Sequence, residues 1–380
     1  MRSPHALLTK GFEVELFTGT PDGEVVGLAR SIAHSLVGFV CEPDHRNIEY
    51  VTPPLRDYGD LRIALLEPRW RLRQYLHQGD YTLLPGSTLS LGGSDRFERS
   101  DPTNPYHAYI ERIYGAKVVT TGIHLNIGIA DPEALLRVWR VIRLEAALFL
   151  ALSAASPFLN GVAIGWHSTR WGIFPQTPAH IPLFASHGDY VCWTEAQLAA
   201  GTMQNVRHLW LSVRPNGDRR PYDLNRLELR ILDLVTDPAA LLAMTALLEL
   251  RIQVILQDET VDPLGRSPFT PPELIEIAQT NDLAAARHSL NAQLIHWQTG
   301  QVLTARTWVW KLYGAYQTSA DQLGISAYLR PLLTILDQGN AAQRWLADYR
   351  RGQSPRAILT AATQDFALQD LAEWCSPVAR

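Results

Sequence analysis

Lysine is almost missing from this 380-residue chain: Lys10, Lys117 and Lys311 are the only three among 34 basic side chains. None follows a glycine, so there is no Walker-type phosphate loop, and Schiff-base chemistry is poorly provided for. Arginine must therefore carry anion recognition, through forked contacts to carboxylate or phosphate. Cysteine is equally scarce. Cys41, Cys192 and Cys375 are odd in number and far apart, with no CxxC pair, which excludes a disulfide scaffold and fits a reducing compartment. A basic excess is lacking too: 34 basic against 38 acidic side chains give a formal charge of −4, which argues against electrostatically driven binding of nucleic acid. HExxH, GxSxG and GxGxxG signatures are all absent.

Long apolar runs are also few. The uncharged stretch from Ala146 to Trp166 is interrupted by Ser153, Ser156, Pro157, Asn160 and Gly161, so it reads as a buried helix ending near the proline rather than a membrane span. The opening MRSPHALLTKGFEVEL is too interrupted for a secretory signal, and the expected address is the cytoplasm, with no membrane partner.

What is present is ample core material: 46% hydrophobic and 19% charged residues, with neither a repeat nor a low-complexity tract. Asp131-Pro132-Glu133 supplies an N-cap, a first-turn proline and an early acid, so a helix should run from there through Leu150. Asp237-Pro238 predicts a second through about Gln257. Both are apolar on a wide face and should cover one side of a sheet. The proline-rich run from Phe174 to Pro182 reads as loop. Prolines 263, 268, 271 and 272 mark a change of character, after which helical spacing dominates: Glu273–Gln279, Asp282–Trp297, Ala327–Leu336, Ala341–Arg350 and Ala357–Trp374. The expected division is an α+β body over residues 1–270 and a helical part over 271–380 with packing or interface duty.

Four segments alternate apolar and polar residues as half-buried strands do. In Gly11–Leu16, Phe12, Val14 and Leu16 share one face and Glu13 and Glu15 the other. Asn47–Val51 turns Glu49 to the polar side, Ile123–Ile129 turns His124 and Asn126, and Arg226–Ile231 turns Arg226, Glu228 and Arg230. A wet outer face is the ordinary explanation of any one such strand. Jointly the polar types are those that hold hard divalent cations and phosphates. Carboxylates two residues apart on a strand lie about 6.5–7 Å from each other, and further acids converging there would repel unless cations sat among them. Mg²⁺ suits such a site, and nearby arginines can hold a transferring phosphoryl group. The residues point to an antiparallel sheet whose polar face handles metal ions and a phosphorylated substrate. A metal-dependent hydrolase is the rival from another reaction class.

At these residues the sequence resembles the glutamate–cysteine ligases, most closely their compact cyanobacterial-type branch. The resemblance covers most of residues 7–270 and rests on KGFEVELFTGTP, NIEYVTPP, LPGSTLSLGGSDRF, YGAKVVTTGIHLNIGI, SPFLNG, STRWGIFPQTPAH, AGTMQNVRHLW and RPNGDRRPYDLNRLELRI. It implies a glutamine-synthetase-like α+β fold, a curved, mainly antiparallel sheet flanked by helices. The implied reaction joins the γ-carboxylate of L-glutamate to the amine of L-cysteine at the expense of ATP, the first step toward glutathione. The resemblance further implies Mg²⁺ ligation, by two or more ions, at Glu13, Glu15, Glu49, His124 and Glu228. It places Arg230 on the ATP phosphates and, with Glu228, in catalysis, and Arg170 on a glutamate carboxylate. The basic turn Arg214–Arg220 could meet the nucleotide through Arg219 and Arg220 or be a solvated hairpin turn, and the Ser/Gly-rich Pro85–Gly93 could form a plain loop or a lid. No obligate protein partner is expected, and no cysteine-based redox switch of the plant type. A ligase using another amine, or a paralogue that binds without turnover, are the alternatives. Glu228→Ala is expected to spare folding and lower turnover by orders of magnitude.

Overall fold

The computed structural model describes residues 6–375. A seven-stranded sheet organises it: β1 (Lys10–Gly19), β2 (Phe39–Cys41), β3 (Asn47–Val51), β4 (Thr82–Leu84), β5 (Gly122–Gly128), β6 (Val213–Asn216) and β7 (Arg226–Asp233). The order is β2-β3-β1-β5-β7-β6, every pair is antiparallel, and β4 joins the far end of β1. All four alternating segments are strands, so the antiparallel α+β architecture is as expected. Their apolar sides, among them Phe12, Val14, Leu16, Ile123, Leu125, Leu227 and Leu229, are buried. Each such side chain contributes about 1.5–3 kcal/mol by leaving water, which fixes the register and holds the polar set on the other face.

Six long helices build the rest: α1 (Tyr58–His77), α2 (Pro132–Ser153), α3 (Pro238–Gln257), α4 (Pro271–His288), α5 (Ala305–Leu323) and α6 (Pro355–Cys375). Asp131 caps α2 by accepting from the Ala134 amide at 2.7 Å, and Asp237 caps α3 through the Ala239 amide at 2.8 Å, each with proline in the first turn. Helix α2 lies on β6 and β7, while α3 packs beside it, against α1 and α5. The buried Glu145 carboxylate of α2 pairs with Arg251 of α3 at 2.7 and 2.8 Å and also accepts from the Trp297 indole, so the charge is fully partnered. By length and composition α3 could cross a membrane, yet it is packed inside the protein. The uncharged stretch from Ala146 divides between the end of α2 and a ribbon, Phe158–Leu159 with Val162–Ala163. No helix or longer strand forms in the 174–182 loop.

Three expectations need correction. The helix expected over Asp282–Trp297 is instead the second half of α4, which stops at His288 where Ser289 takes φ +43°. The chain then turns into a strand, Gln293–Ile295, held by the Asn281 side chain, which donates to the Ile295 carbonyl and accepts from its amide, both at 2.9 Å. The Ala327–Leu336 helix is two short ones, Ser326–Leu329 and Leu332–Gln338, because Pro331 lacks an amide and its ring blocks the preceding turn. Pro85–Gly93 is no lid: Leu83–Ser90 is buried. Ser87 accepts from the Leu234 amide at 2.7 Å and Thr88 donates to the Phe158 carbonyl at 2.8 Å, away from the cleft described next.

Candidate active site

The polar face of the sheet floors a cleft of about 800 Å³. Cross-strand register assembles its floor: Glu15 of β1 lies opposite Glu49 of β3, Glu13 opposite His124 of β5, and Glu228 of β7 opposite both Asn126 of β5 and Arg214 of β6. Opposed residues on one face stand about 4.5–5.5 Å apart at Cβ, so five strands converge on one spot.

Two groups of three donors result, each able to bring one ligand atom within 4.8 Å of the others: Glu13, His124 and Glu228, and Glu15, Glu42 and Glu49. In the first, His124 Nδ1 is 2.9 Å from Glu13 Oε2 and 3.7 Å from Glu228 Oε1, and the Asn126 amide donates to Glu13 at 3.1 Å. Glu228, 0% exposed, accepts from Arg214 Nε at 2.6 Å, from the Asn216 amide at 2.6 Å, and from Arg230. Burial alone would raise the Glu228 carboxyl, but Arg214 and Arg230 hold it well below the usual range. Burial, seconded by Arg230, pushes His124 down to about 4, so the imidazole is neutral. Nδ1 meets Glu13 Oε2 and also lies 3.3 Å from Arg230 Nη1, while Nε2 stands 3.8 Å from Glu15 Oε1, toward the second group.

The second group has no such guanidinium forks. Burial and the charge of Glu42 push Glu15 up to about 8. Burial with Glu42, Glu15 and Glu13 pushes Glu49 up to about 10, and Glu42 is raised chiefly by burial. Without a cation Glu15 and Glu49 hold protons at neutral pH. Oxygen donors with one imidazole nitrogen, crowded beyond what like charge tolerates, fit a hard divalent cation.

Arg230 owes its position to a bulge. Between Ile123/Leu232 and Leu125/Leu229 the β5–β7 ladder slips by one residue, leaving Arg230 and Ile231 to share the Ser212 carbonyl. Arg170 takes up the carbonyls this slip leaves over, donating through Nη2 to Arg230 O at 3.1 Å and through Nη1 to Ile231 O at 3.3 Å. It sits in a short helix, Thr169–Ile173, capped by Ser168. Far from being a surface loop residue, Arg170 is buried and lines the cleft, with its Nε unpartnered. Arg220 is likewise buried against the cleft, donating to Val206 O, whereas Arg219 at the rim points to solvent and pairs with Asp223. Aromatic side chains, Tyr106, Phe174 and Trp210, line another part of the wall.

Sequence reasoning missed Glu42 as a site residue, and it took Arg214 and Asn216 as part of a basic turn rather than as partners of Glu228. Glu42 follows β2 in an irregular turn, so no alternation announces it. Arg214 and Asn216 do alternate with Val213, but Pro215 reads as a turn. β6 is an edge strand, where a missing amide interrupts no interior ladder.

The family model described as glutamate-cysteine ligase family 2 matches residues 9–362. A Sorangium cellulosum protein provisionally named glutamate–cysteine ligase 2 is 27% identical over 358 residues, 92% of this chain and 89% of its own. A protein of the same provisional name from Gloeobacter violaceus is 28% identical, covering 92% and 95%. Among solved structures, a glutamate–cysteine ligase of Francisella tularensis in complex with AMP superposes with TM-score 0.69 at 13% identity, covering 98% of this chain and 90% of that one. A bifunctional glutathione synthetase from Pasteurella multocida gives 0.75 at 16% identity over 98% of this chain, which spans 54% of that longer protein. Both likenesses concern the fold.

Proposed function

The chain belongs to glutamate-cysteine ligase family 2, and from that premise we propose that it joins the γ-carboxylate of L-glutamate to the amine of L-cysteine with ATP as co-substrate. The observation that carries the reading is the pair of donor groups on one cleft floor, with Arg230 between them and the phosphate-binding chemistry of arginine around the rim. Glu13, His124 and Glu228 would hold one divalent cation and Glu15, Glu42 and Glu49 another, Mg²⁺ being the natural occupant beside ATP. Bound there, the cations supply charge neutralisation to the phosphate oxygens.

The chain's own residues then do the following. Arg230, fixed through its backbone by Arg170 and through its side chain by Glu228, presents its guanidinium to the γ-phosphoryl group as the glutamate carboxylate attacks phosphorus and ADP leaves. The free Nε of Arg170 faces a carboxylate of the bound glutamate. Arg220 meets the nucleotide phosphates from the β6–β7 turn, and Arg219, exposed at the rim, contributes after leaving Asp223. The cysteine amine attacks the γ-glutamyl phosphate and expels phosphate, so no protein nucleophile is required. A reducing cytoplasm suits both the thiol substrate and three free cysteines. The aromatic wall of Tyr106, Phe174 and Trp210 favours a second reading, a ligase of the same mechanism with a bulkier amine as acceptor.

Phosphate release from ATP and Mg²⁺ tests both. Release that needs glutamate plus cysteine, with a γ-linked dipeptide by mass spectrometry, is expected. Release with glutamate and another amine only would replace the acceptor, and silence with every pair would overturn the ligase reading.

A further inference from the structure

Glu42 is the one member of the two donor groups that no ladder positions. It lies past the end of β2, in the turn 42–46, and it closes the group in which like charges are least compensated. Something else must hold it. The structure shows what: a second irregular segment, residues 93–100, fastened to this turn by a buried ion pair.

Arg46 is 1% exposed and Asp44 3%. Arg46 Nε and Nη2 fork onto the two Asp44 oxygens, each at 2.8 Å, and the Arg46 amide donates back to Asp44 Oδ1 at 3.0 Å. The remaining guanidinium hydrogens cross to the other segment, Nη1 to the Gly93 carbonyl at 2.7 Å and Nη2 to the Arg96 carbonyl at 2.9 Å. In return Asp44 Oδ2 accepts from the Glu98 amide at 2.8 Å, the His45 amide donates to Glu98 O at 2.8 Å, and the Ser100 amide donates to Pro43 O at 2.9 Å. The Ser100 hydroxyl donates to the carbonyl of Glu42 itself. Gly93 is required where it is: at φ +89° it avoids the strain of a side chain, and a Cβ would lie 2.9 Å from Arg46 Nη1.

Such an arrangement is costly unless complete. A buried guanidinium and carboxylate are tolerated only when every polar atom is satisfied, and this fork satisfies them with backbone carbonyls that regular structure would otherwise have used. Asp44 borders the cleft beside Glu42, whereas Arg46 does not line it. Their hydrogen bonds converge on the two residues after Glu42 and on the segment that grips its carbonyl.

We propose that the Asp44–Arg46 pair, locked to the carbonyls of Gly93 and Arg96, is a positioning device for Glu42 that sets the cation affinity of the Glu15–Glu42–Glu49 group. Arg46 acts through Glu42 and touches no substrate. The proposal rests on the two-cation reading given above.

Mn²⁺ serves as the probe, its binding to the full-length protein followed by electron paramagnetic resonance without nucleotide or amino acids. Wild type should show two classes of site. Arg46→Met should weaken one class about 10–100-fold, the range for losing a partner that orients a ligand, and leave the other within twofold. Glu42→Gln should weaken the same class, and the double variant no further, because the two residues act in series. Arg46→Lys keeps the charge toward Asp44 and loses the fork; it should fall between, and it decides the matter if Arg46→Met does not fold. Wild-type affinities in Arg46→Met, losses in both classes, or full additivity with Glu42→Gln would overturn the positioning role while leaving the two-cation reading intact. A wild-type protein that binds no Mn²⁺ would overturn both.

Discussion

The two donor groups use similar side chains on one sheet face and differ in what surrounds them. Around Glu13, His124 and Glu228 the chain supplies its own positive charge, with Arg214, Arg230, Asn216 and Asn126 all pointing at carboxylates. Around Glu15, Glu42 and Glu49 it supplies almost none, and burial with mutual repulsion drives Glu15 to about 8 and Glu49 to about 10. The first is therefore held in place by hydrogen bonds from the chain itself. The second lacks such partners, so the placement of Glu42 depends on the turn that carries it.

The largest expected effect comes from breaking the first group. Glu228→Ala leaves the guanidiniums of Arg214 and Arg230 without their buried partner, so the structure revises the expectation that folding is spared. Turnover should fall by orders of magnitude, and stability by about 3–5 kcal/mol as for other half-removed buried pairs. Chemical denaturation beside an ATP-turnover assay checks both. A variant that is inactive with unchanged stability would mean that the arginines are not committed to Glu228.

The second group should respond in the opposite sense. Glu49→Gln removes a carboxylate from an uncompensated set, so the midpoint of thermal unfolding in metal-free buffer should rise by about 1–2 °C. The stabilisation by Mg²⁺, about 2.7 kcal/mol at a hundred times the dissociation constant, should shrink for this variant. Calorimetry with and without Mg²⁺ reads both numbers, and a metal-free loss of stability would contradict the repulsion.

A smaller effect sharpens the comparison by removing the cation from it. Asp282, buried in α4 with only Ser212 and Arg143 to ease it, is pushed up to about 8 by burial. Its folded value lies above the roughly 3.9 of an unfolded aspartate, so the folded state holds the extra proton between these values and stability falls as pH rises through that window. Asp282→Asn should cancel this slope. Melting curves from pH 5 to 8 should favour the variant progressively, by the same margin with or without Mg²⁺.

Much of this was legible in the sequence because two physical codes are local. Period-two alternation told which way Glu13, Glu49, His124 and Glu228 point, and Asp-Pro pairs told where α2 and α3 begin. What escaped was settled by distant partners. Glu42 is placed by residues some fifty positions downstream, and Arg170 is engaged by a bulge that exists only once β5 and β7 pair. α1 carries Pro68 inside and is only weakly amphipathic, so tertiary packing decides it. The strand Gln293–Ile295 reads as helix until Asn281 captures its backbone.

The burial of α3 also has a meaning in time. Its twenty residues leave the ribosome as apolar as a membrane span, and the helices that cover it, α5 and the two short ones after it, are synthesised later. Until about residue 336 has emerged, the nascent chain carries a greasy rod covered only on the side of α1 and α2, beside a sheet whose strands are all made. Helices of the carboxyl-terminal third thus complete the cover of α3, and the order of translation makes the finished sheet wait for them.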